Sequence, residues 1–414
     1  EILIAQPDLF DTLLQPGALT ESRSSETLEA ALLAATRKRS GGEKRFAALC
    51  DAKRGEELAI GIRSILGEAD VLDTLGELTG LAEAAVRVGL SLAEDAVRPI
   101  FGKPLGEKGR GEAGFAVIAM GKLGGGEMNF GSDLDLVFVY SSSGTTDGIW
   151  KGKPAARGPV SNHEYFMRLV TLLRDGLAAP EGGRRAYEID LRLRPEGQKG
   201  ALAAPLEIFA RYFQERAENW ERQALCRARA VAGSESTQRA FMDLVRDFVY
   251  GEALSPRFKT EIAHIRERLE RELAREAEGR VDIKLGHGGI ADIEFLVQYL
   301  QIIHGRGNPA LRGPNTLAAL EALRNAGNLS SAQASVLIEG YRFLRLAENR
   351  LRIATSHPIH IFPESPEGVE MLARRIGYRD DEAGSARAKL FADYERQTDN
   401  VRRIYEAILQ EEVA

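Results

Sequence analysis

The chain has 414 residues, 44% of them hydrophobic and 28% charged, and carries a formal net charge of -6. Acids and bases are interspersed rather than blocked, so no basic face points to nucleic acid or to an anionic membrane surface. A chain of this length is expected to form two or three domains with substantial cores.

Its two cysteines, Cys50 and Cys226, are far apart and form no CxxC pair. That argues against a disulfide framework or a structural zinc site and fits a reducing, cytoplasmic compartment. No apolar run approaches 18 residues and no basic-then-apolar leader is visible, so neither a spanning helix nor a secretion signal is expected. The first residue is Glu1, which suggests a piece of a longer protein.

Residues 1–98 are expected to form a helical lead-in. SSETLEAALLAATRK opens on a serine cap signal, and LTGLAEAAVRVGLSLAEDAV keeps apolar residues at helical spacing. GKPLGEKGRGEAG (102–114) reads as a Gly-rich linker, after which FAVIAM (115–120) and DLDLVFVY (133–140) are short, apolar, strand-like runs around a glycine turn. The polar stretch 141–160 has the composition of a mobile loop, one that could cover a site. Ser161 and Glu164 then make a capping box for a helix with Phe166, Leu169, Val170 and Leu173 on one face.

AYEIDLRLR (186–194) alternates Ile189, Leu191 and Leu193 with Glu188, Asp190, Arg192 and Arg194, which predicts a third strand with one apolar and one charged face. From residue 206 onward nearly everything reads as helix, including FKTEIAHIRERLERELAREAE with Ile262, Ile265, Leu269 and Leu273 on one stripe. The expected domains are therefore a lead-in at 1–98, a catalytic core at 99–205 and a helical bundle at 206–414.

Asp133 and Asp135 are two apart on a predicted strand, so their carboxylates project from the same side while Leu134 and Leu136 face the core. With 61 acids in 414 residues, about nine such pairs arise by chance, so the pattern is weak by itself. Two carboxylates about 4 Å apart repel by roughly 4 kcal/mol at an effective dielectric near 20, a cost that a divalent cation removes. If Asp190 lies on a neighbouring strand, three carboxylates form the oxygen-rich set that suits Mg2+ or Mn2+.

Gly121 and the glycines at 124–126 would let backbone amides approach a phosphate chain, with Lys122 adding positive charge. Arg192 and Arg194 could hold outer phosphates as planar forks. Lys122 and both arginines suit a structural salt bridge equally well. A glycine turn, paired aspartates and a third aspartate together describe metal-assisted nucleotidyl transfer, with Asp190 also a candidate proton acceptor.

Elsewhere, bland explanations suffice. His357 and His360 fit a surface loop better than a metal site, and GHGGIADIEF fits a glycine turn into a helix with Asp292 near its positive end. Trp220 and Arg222 are expected to dock the bundle on the catalytic domain, while Arg227 and Arg229 either do the same or face nucleotide.

MGKLGGGEMNFGSDLDLVF, YEIDLRLRPEGQKGAL, NWERQALCRARAV and DIKLGHGGIADIEFLVQYL, in this order, resemble the glutamine synthetase adenylyltransferase family. The likeness covers nearly the whole chain. It implies an α+β fold: a polymerase-β-like nucleotidyltransferase domain with a small mixed sheet, flanked by N-terminal helices and a C-terminal helical bundle. Lys122 stands where the wider superfamily usually has Ser or Gly, a departure that matches the narrower family.

By this resemblance Asp133, Asp135 and Asp190 are the catalytic, metal-binding aspartates, with Mg2+ or Mn2+ as cofactor and ATP as substrate. The candidate nucleotide contacts are Gly121, Lys122, Ser132, Arg192 and Arg194. The implied partners are glutamine synthetase as protein substrate and, in a full-length enzyme, the PII signal protein; no nucleic acid or membrane partner is expected. Family members carry two homologous halves, one adding AMP to a tyrosine and one removing it by phosphorolysis, and one copy is present here. QPDLFDTLLQPGALTE, GSDLDL and IADIEFLVQYLQIIHG favour the adenylylating half, whereas GGGEMN is reminiscent of the deadenylylating one. A catalytically silent nucleotide-binding regulatory module is the alternative of another class.

Overall fold

The computed structural model describes residues 13, 17, 19–109, 111–178, 185–251, 254–274, 280–355 and 358–409. QPDLFDTLLQPGALTE lies mostly, and His357 wholly, outside them. The chain forms two compact units, one of residues 1–217 with 227–248 and one of residues 218–226 with 249–414.

In the first unit, α1 (Ser25–Arg37), α2 (Gly42–Leu66) and α3 (Val71–Phe101) pack on one another. Local sequence sets their starts. Ser24 accepts from the Thr27 amide ahead of α1, and Asp70 accepts from the Asp73 amide ahead of α3. Each bond satisfies an amide that the first helical turn leaves without a partner.

Strand β1 (Phe115–Ala119) is buried at every residue, and β2 (Leu134–Tyr140) at every residue except Asp135. The one-turn helix α4 (Gly121–Gly125) joins them. Beyond β2 come the small hairpin β3 (Ile149–Trp150) and β4 (Lys153–Pro154), then α5 (Asn162–Ala178), β5 (Ile189–Asp190), β6 (Ala203–Pro205) and α6 (Leu206–Glu215). Next are α7 (Asn219–Leu225), which belongs to the second unit, β7 (Arg229–Gly233) and α8 (Glu235–Tyr250).

The sheet runs β5-β2-β1-β7, with β6 also paired to β2. β1 is antiparallel to both β2 and β7, while β5 and β6 are parallel to β2. A parallel neighbour requires a crossover, and α5 supplies it. Phe166 of α5 stacks on Phe115 and Tyr140, with ring centroids 5.4 and 4.7 Å apart, fixing the helix over the sheet.

Several expectations need correction. Of the predicted strand 186–194, only Ile189 and Asp190 pair with β2. The Arg194 guanidinium turns back onto the carbonyls of Leu191, Gln198 and Gly200, and Glu196 and Gly197 take left-handed backbone conformations, so the chain leaves the sheet and rejoins it at β6.

Residues 141–160 do not cover the aspartates. Thr145, Asp147 and Arg157 bond to Leu105, Lys103 and Ile100, and the loop follows the end of β2 opposite to the one beside Asp133. A strand was also missed: β7 bonds to β1, so residues 227–248 group with the sheet.

In the second unit, α9 (Phe258–Leu269), α10 (Ile290–Gly305), α11 (Thr316–Asn325), α12 (Ser331–Thr355), α13 (Pro366–Ile376) and α14 (Ala386–Leu409) surround a core that includes Ile293, Leu296, Leu337, Tyr341 and Val401. The expected stripe on α9 shifts: Phe258, Ile262 and Arg266 are buried and Leu273 is exposed.

A charged residue can occupy that stripe because its partners are built in. Arg266 meets Asp292 at 2.5 Å and Glu270 at 3.2 Å, and Arg402 meets Asp292 at 3.1 Å. Asp292 stands in the first turn of α10, as expected, and also accepts from the Gly288 amide. Asp292→Ala would leave Arg266 buried without its nearest carboxylate, and should cost about 3–5 kcal/mol in the stability of this unit. Urea unfolding followed by circular dichroism checks it, as a lower midpoint with little change in slope.

Candidate active site

β2 begins where the buried sheet reaches solvent. Asp133 precedes its first residue and is exposed, while Asp135 is half-buried on the same side. Parallel pairing places Asp190 of β5 directly beside Asp135. One oxygen from each of Asp133, Asp135 and Asp190 lies within 4.8 Å of the other two. The neighbouring-strand condition set by the sequence is thus met, and the three acids converge.

Gly121 follows the end of β1 with φ +52°, and a β-carbon there would collide with the Asp135 carboxylate. Glycine at this position thus clears space for the carboxylate itself. The Met120 amide donates to the Asp135 carbonyl at 2.9 Å, which closes the turn against β2.

The other glycines seat a different neighbour. A β-carbon on Gly124 would strike the Arg227 carbonyl, and one on Gly125 would strike the Arg227 guanidinium. Arg227 donates through Nε to the Gly121 carbonyl at 2.9 Å and pairs with the buried Glu127. Arg229 donates to the carbonyls of Gly124 and Leu123 at 3.0 and 2.8 Å and pairs with Glu83 of α3 at 2.5 Å.

Arg227 and Arg229 were expected to dock the bundle or to face nucleotide; the bonds they make clamp the glycine turn. Glu127 and Glu83 were not singled out from sequence. The available signal was the Arg-Ala-Arg spacing of CRARAV, whose second arginine opens β7.

Ser132 is buried; its amide donates to the Asn129 carbonyl at 3.1 Å and its Oγ accepts from the Asn129 amide at 3.2 Å. It shapes the turn that delivers Asp133. Lys122 lies in α4, where its carbonyl accepts from the Glu127 amide at 2.9 Å. Arg194 donates to carbonyls of the 191–200 segment, and its charge reaches Asp190.

Arg192 is bonded to Asp190 directly. Its backbone amide donates to Asp190 Oδ1 at 2.8 Å, and its Nε and Nη2 both donate to Oδ2, the former at 2.7 Å. Burial pulls the Asp190 carboxyl upward, but the bonds and charge of Arg192 outweigh it and hold the group below the usual carboxylate range. Such a carboxylate is a better ligand than base toward a phenol that titrates near 10, which weakens the proton-acceptor role.

Three convergent carboxylates with no nitrogen or sulfur donor match the oxygen preference of Mg2+ or Mn2+. A cavity of about 500 Å³ lined by Leu90, Arg98, Glu112, Phe115 and Tyr165 takes in the opposite end of β1, so it is separate from this site. Among the described residues, no helix is long and apolar enough to cross a membrane.

An α+β unit with a carboxylate triad at the end of a small mixed sheet defines a class of candidate cation-binding enzymes. Residues 1–243 match the family model described as glutamate-ammonia ligase adenylyltransferase, and the chain belongs to that family of nucleotidyltransferases. Residues 260–409 match the model described as GlnD PII-uridylyltransferase.

A bifunctional glutamine synthetase adenylyltransferase/adenylyl-removing enzyme of Xanthomonas axonopodis pv. citri is 36% identical over 337 residues, covering 80% of this chain and 35% of that protein. The enzyme of the same description from Thioalkalivibrio sulfidiphilus is 32% identical over 388 residues, covering 93% of this chain and 39% of the relative. The chain thus spans little more than a third of these relatives.

Proposed function

We propose that this chain is a single nucleotidyltransferase half that transfers AMP from ATP to a tyrosine hydroxyl of glutamine synthetase and releases pyrophosphate. The observation that carries the proposal is the convergence of Asp133, Asp135 and Asp190 beside the turn at Gly121, in a chain of this family. The fold that goes with it is the polymerase-β-like nucleotidyltransferase domain.

In the reaction, the tyrosine oxygen gives up its proton to solvent and forms a bond to the α-phosphorus as the bond from that phosphorus to the bridging oxygen of pyrophosphate breaks. Asp133, Asp135 and Asp190 would hold Mg2+ or Mn2+, which supplies charge neutralisation at the phosphates and lowers the pKa of the attacking hydroxyl. Gly121 keeps the space that Asp135 occupies. Arg227 and Arg229 fix the turn that carries Gly121, so their contribution is positioning. Lys122 and Arg192 are the candidate phosphate contacts, with Ser132 shaping the approach to Asp133.

The relatives' description names both AMP addition and AMP removal, and GGGEMN (124–129) favours the second. One experiment separates the two. The protein is incubated with glutamine synthetase and α-labelled ATP, and in parallel with adenylylated glutamine synthetase and phosphate. Label transfer in the first arm is the expected result; ADP formation in the second alone reverses the direction. Mg2+-ATP binding with neither reaction would instead make the chain a silent binding module.

A further inference from the structure

Arg192 presents an unusual combination. Its side chain is 68% exposed, yet three of its hydrogen bonds go to Asp190, whose own side chain is only 13% exposed. The charges of Asp135 and Asp133 reach the same guanidinium. One largely exposed guanidinium, bonded to Asp190, therefore also lies within charge range of Asp135 and Asp133.

A metal ion that takes Asp190 Oδ2 as a ligand competes with both Nε and Nη2 of Arg192 for that oxygen. The backbone bond to Oδ1 at 2.8 Å does not compete, and keeps the carboxylate aimed while Oδ2 changes partner.

We infer that Arg192 is an exchangeable counter-ion. It holds Asp190 against free divalent cation, and it moves to the triphosphate when metal and nucleotide arrive together. The inference rests on the nucleotidyl-transfer reading of the site. It assigns Arg192 a positioning role that couples metal entry to nucleotide entry.

The surface ion pair would favour the metal-nucleotide complex over the free ion. While Arg192 neutralises Asp190, a bare cation gains less than the triad alone would offer. A metal-nucleotide complex brings phosphate oxygens that reward the displaced guanidinium with charge-assisted bonds. The two effects of Arg192 therefore have opposite sign: it weakens binding of the free ion and strengthens binding of the complex.

The test measures Mn2+ binding to the intact chain without nucleotide, by electron paramagnetic resonance of the free ion, and Mg2+-ATP binding by calorimetry. Wild type, Arg192→Ala, Arg192→Lys and Asp135→Asn are compared after circular dichroism has shown equal folding. Arg192→Ala should bind free Mn2+ roughly fivefold more tightly than wild type and Mg2+-ATP about tenfold more weakly. Arg192→Lys, which keeps the charge and loses the fork, should fall between them on both measures. Asp135→Asn should leave the free Mn2+ signal undiminished.

Equal Mn2+ affinity in wild type and Arg192→Ala, with Mn2+ bound in both, overturns the counter-ion role and leaves the site reading intact. Unchanged Mg2+-ATP affinity in Arg192→Ala overturns the transfer to phosphate. Absence of Mn2+ binding from every protein, with and without nucleotide, overturns the site reading itself.

Discussion

Asp135→Asn is expected to lower AMP transfer by about 10³-fold while leaving the thermal midpoint unchanged or raised. The amide keeps the shape that sits against Gly121 but loses the charge that a divalent cation would answer. Loss of one metal carboxylate removes several kcal/mol of transition-state stabilisation, and about 4 kcal/mol corresponds to three decades in rate. The opposite sign of the stability effect follows from geometry.

Three carboxylates have oxygens within 4.8 Å of one another, and the two side-chain bonds of Arg192 to this cluster go to Asp190 Oδ2. Removing one negative charge relieves repulsion, by about 1 kcal/mol or less because Asp133 is exposed and the cluster is screened. Single-turnover transfer of label from α-labelled ATP gives the rate, and differential scanning calorimetry with and without Mg2+ gives the midpoint. Wild type should gain stability from Mg2+-ATP and the variant should not. A variant that transfers at the wild-type rate removes Asp135 from the metal site. A midpoint several degrees lower would mean that the carboxylate serves the fold.

The parts of this site that sequence revealed are those set by local geometry. Asp133 and Asp135 share a side because a strand has period two, and the apolar runs 115–119 and 134–140 are long enough to identify their strands. Asp190 was recognised as the third carboxylate, but the strand carrying it was drawn too long. Alternation from Ile189 to Arg194 looks like strand, whereas Arg194 folds back onto three carbonyls of its own segment.

The rest of the site depends on partners about a hundred residues away. β7 reads RAVAG, with a single β-branched residue, and it is a strand because β1 offers it an edge. Gly124 and Gly125 look like a phosphate cradle until the Arg227 chain is seen to fill the space beside them. The buried Arg266 of α9 was hidden in the same way, since its partner Asp292 lies on another helix.

Arg227→Met should be the most disruptive single change near the site, costing about 3–5 kcal/mol in stability and at least tenfold in transfer rate. The two losses have separable causes. Glu127 keeps its carboxylate in a place where its side chain is only 4% exposed, and losing the paired guanidinium leaves much of that charge uncompensated. Independently, the Gly121 carbonyl loses the Nε bond of 2.9 Å that fixes the turn beside Asp135. Arg227→Lys restores a charge but not the fork that serves Glu127 and Gly121 together, so it should recover more stability than rate.

The double variant Glu127→Gln with Arg227→Met makes the separation sharper. It removes the buried carboxylate charge as well as the guanidinium, so urea unfolding should recover much of the stability lost in the single variant. Its rate should stay low, because nothing replaces the bond to the Gly121 carbonyl. If stability and rate instead recover together, Arg227 serves only to neutralise Glu127, and the clamp on the glycine turn has no part in positioning Asp135.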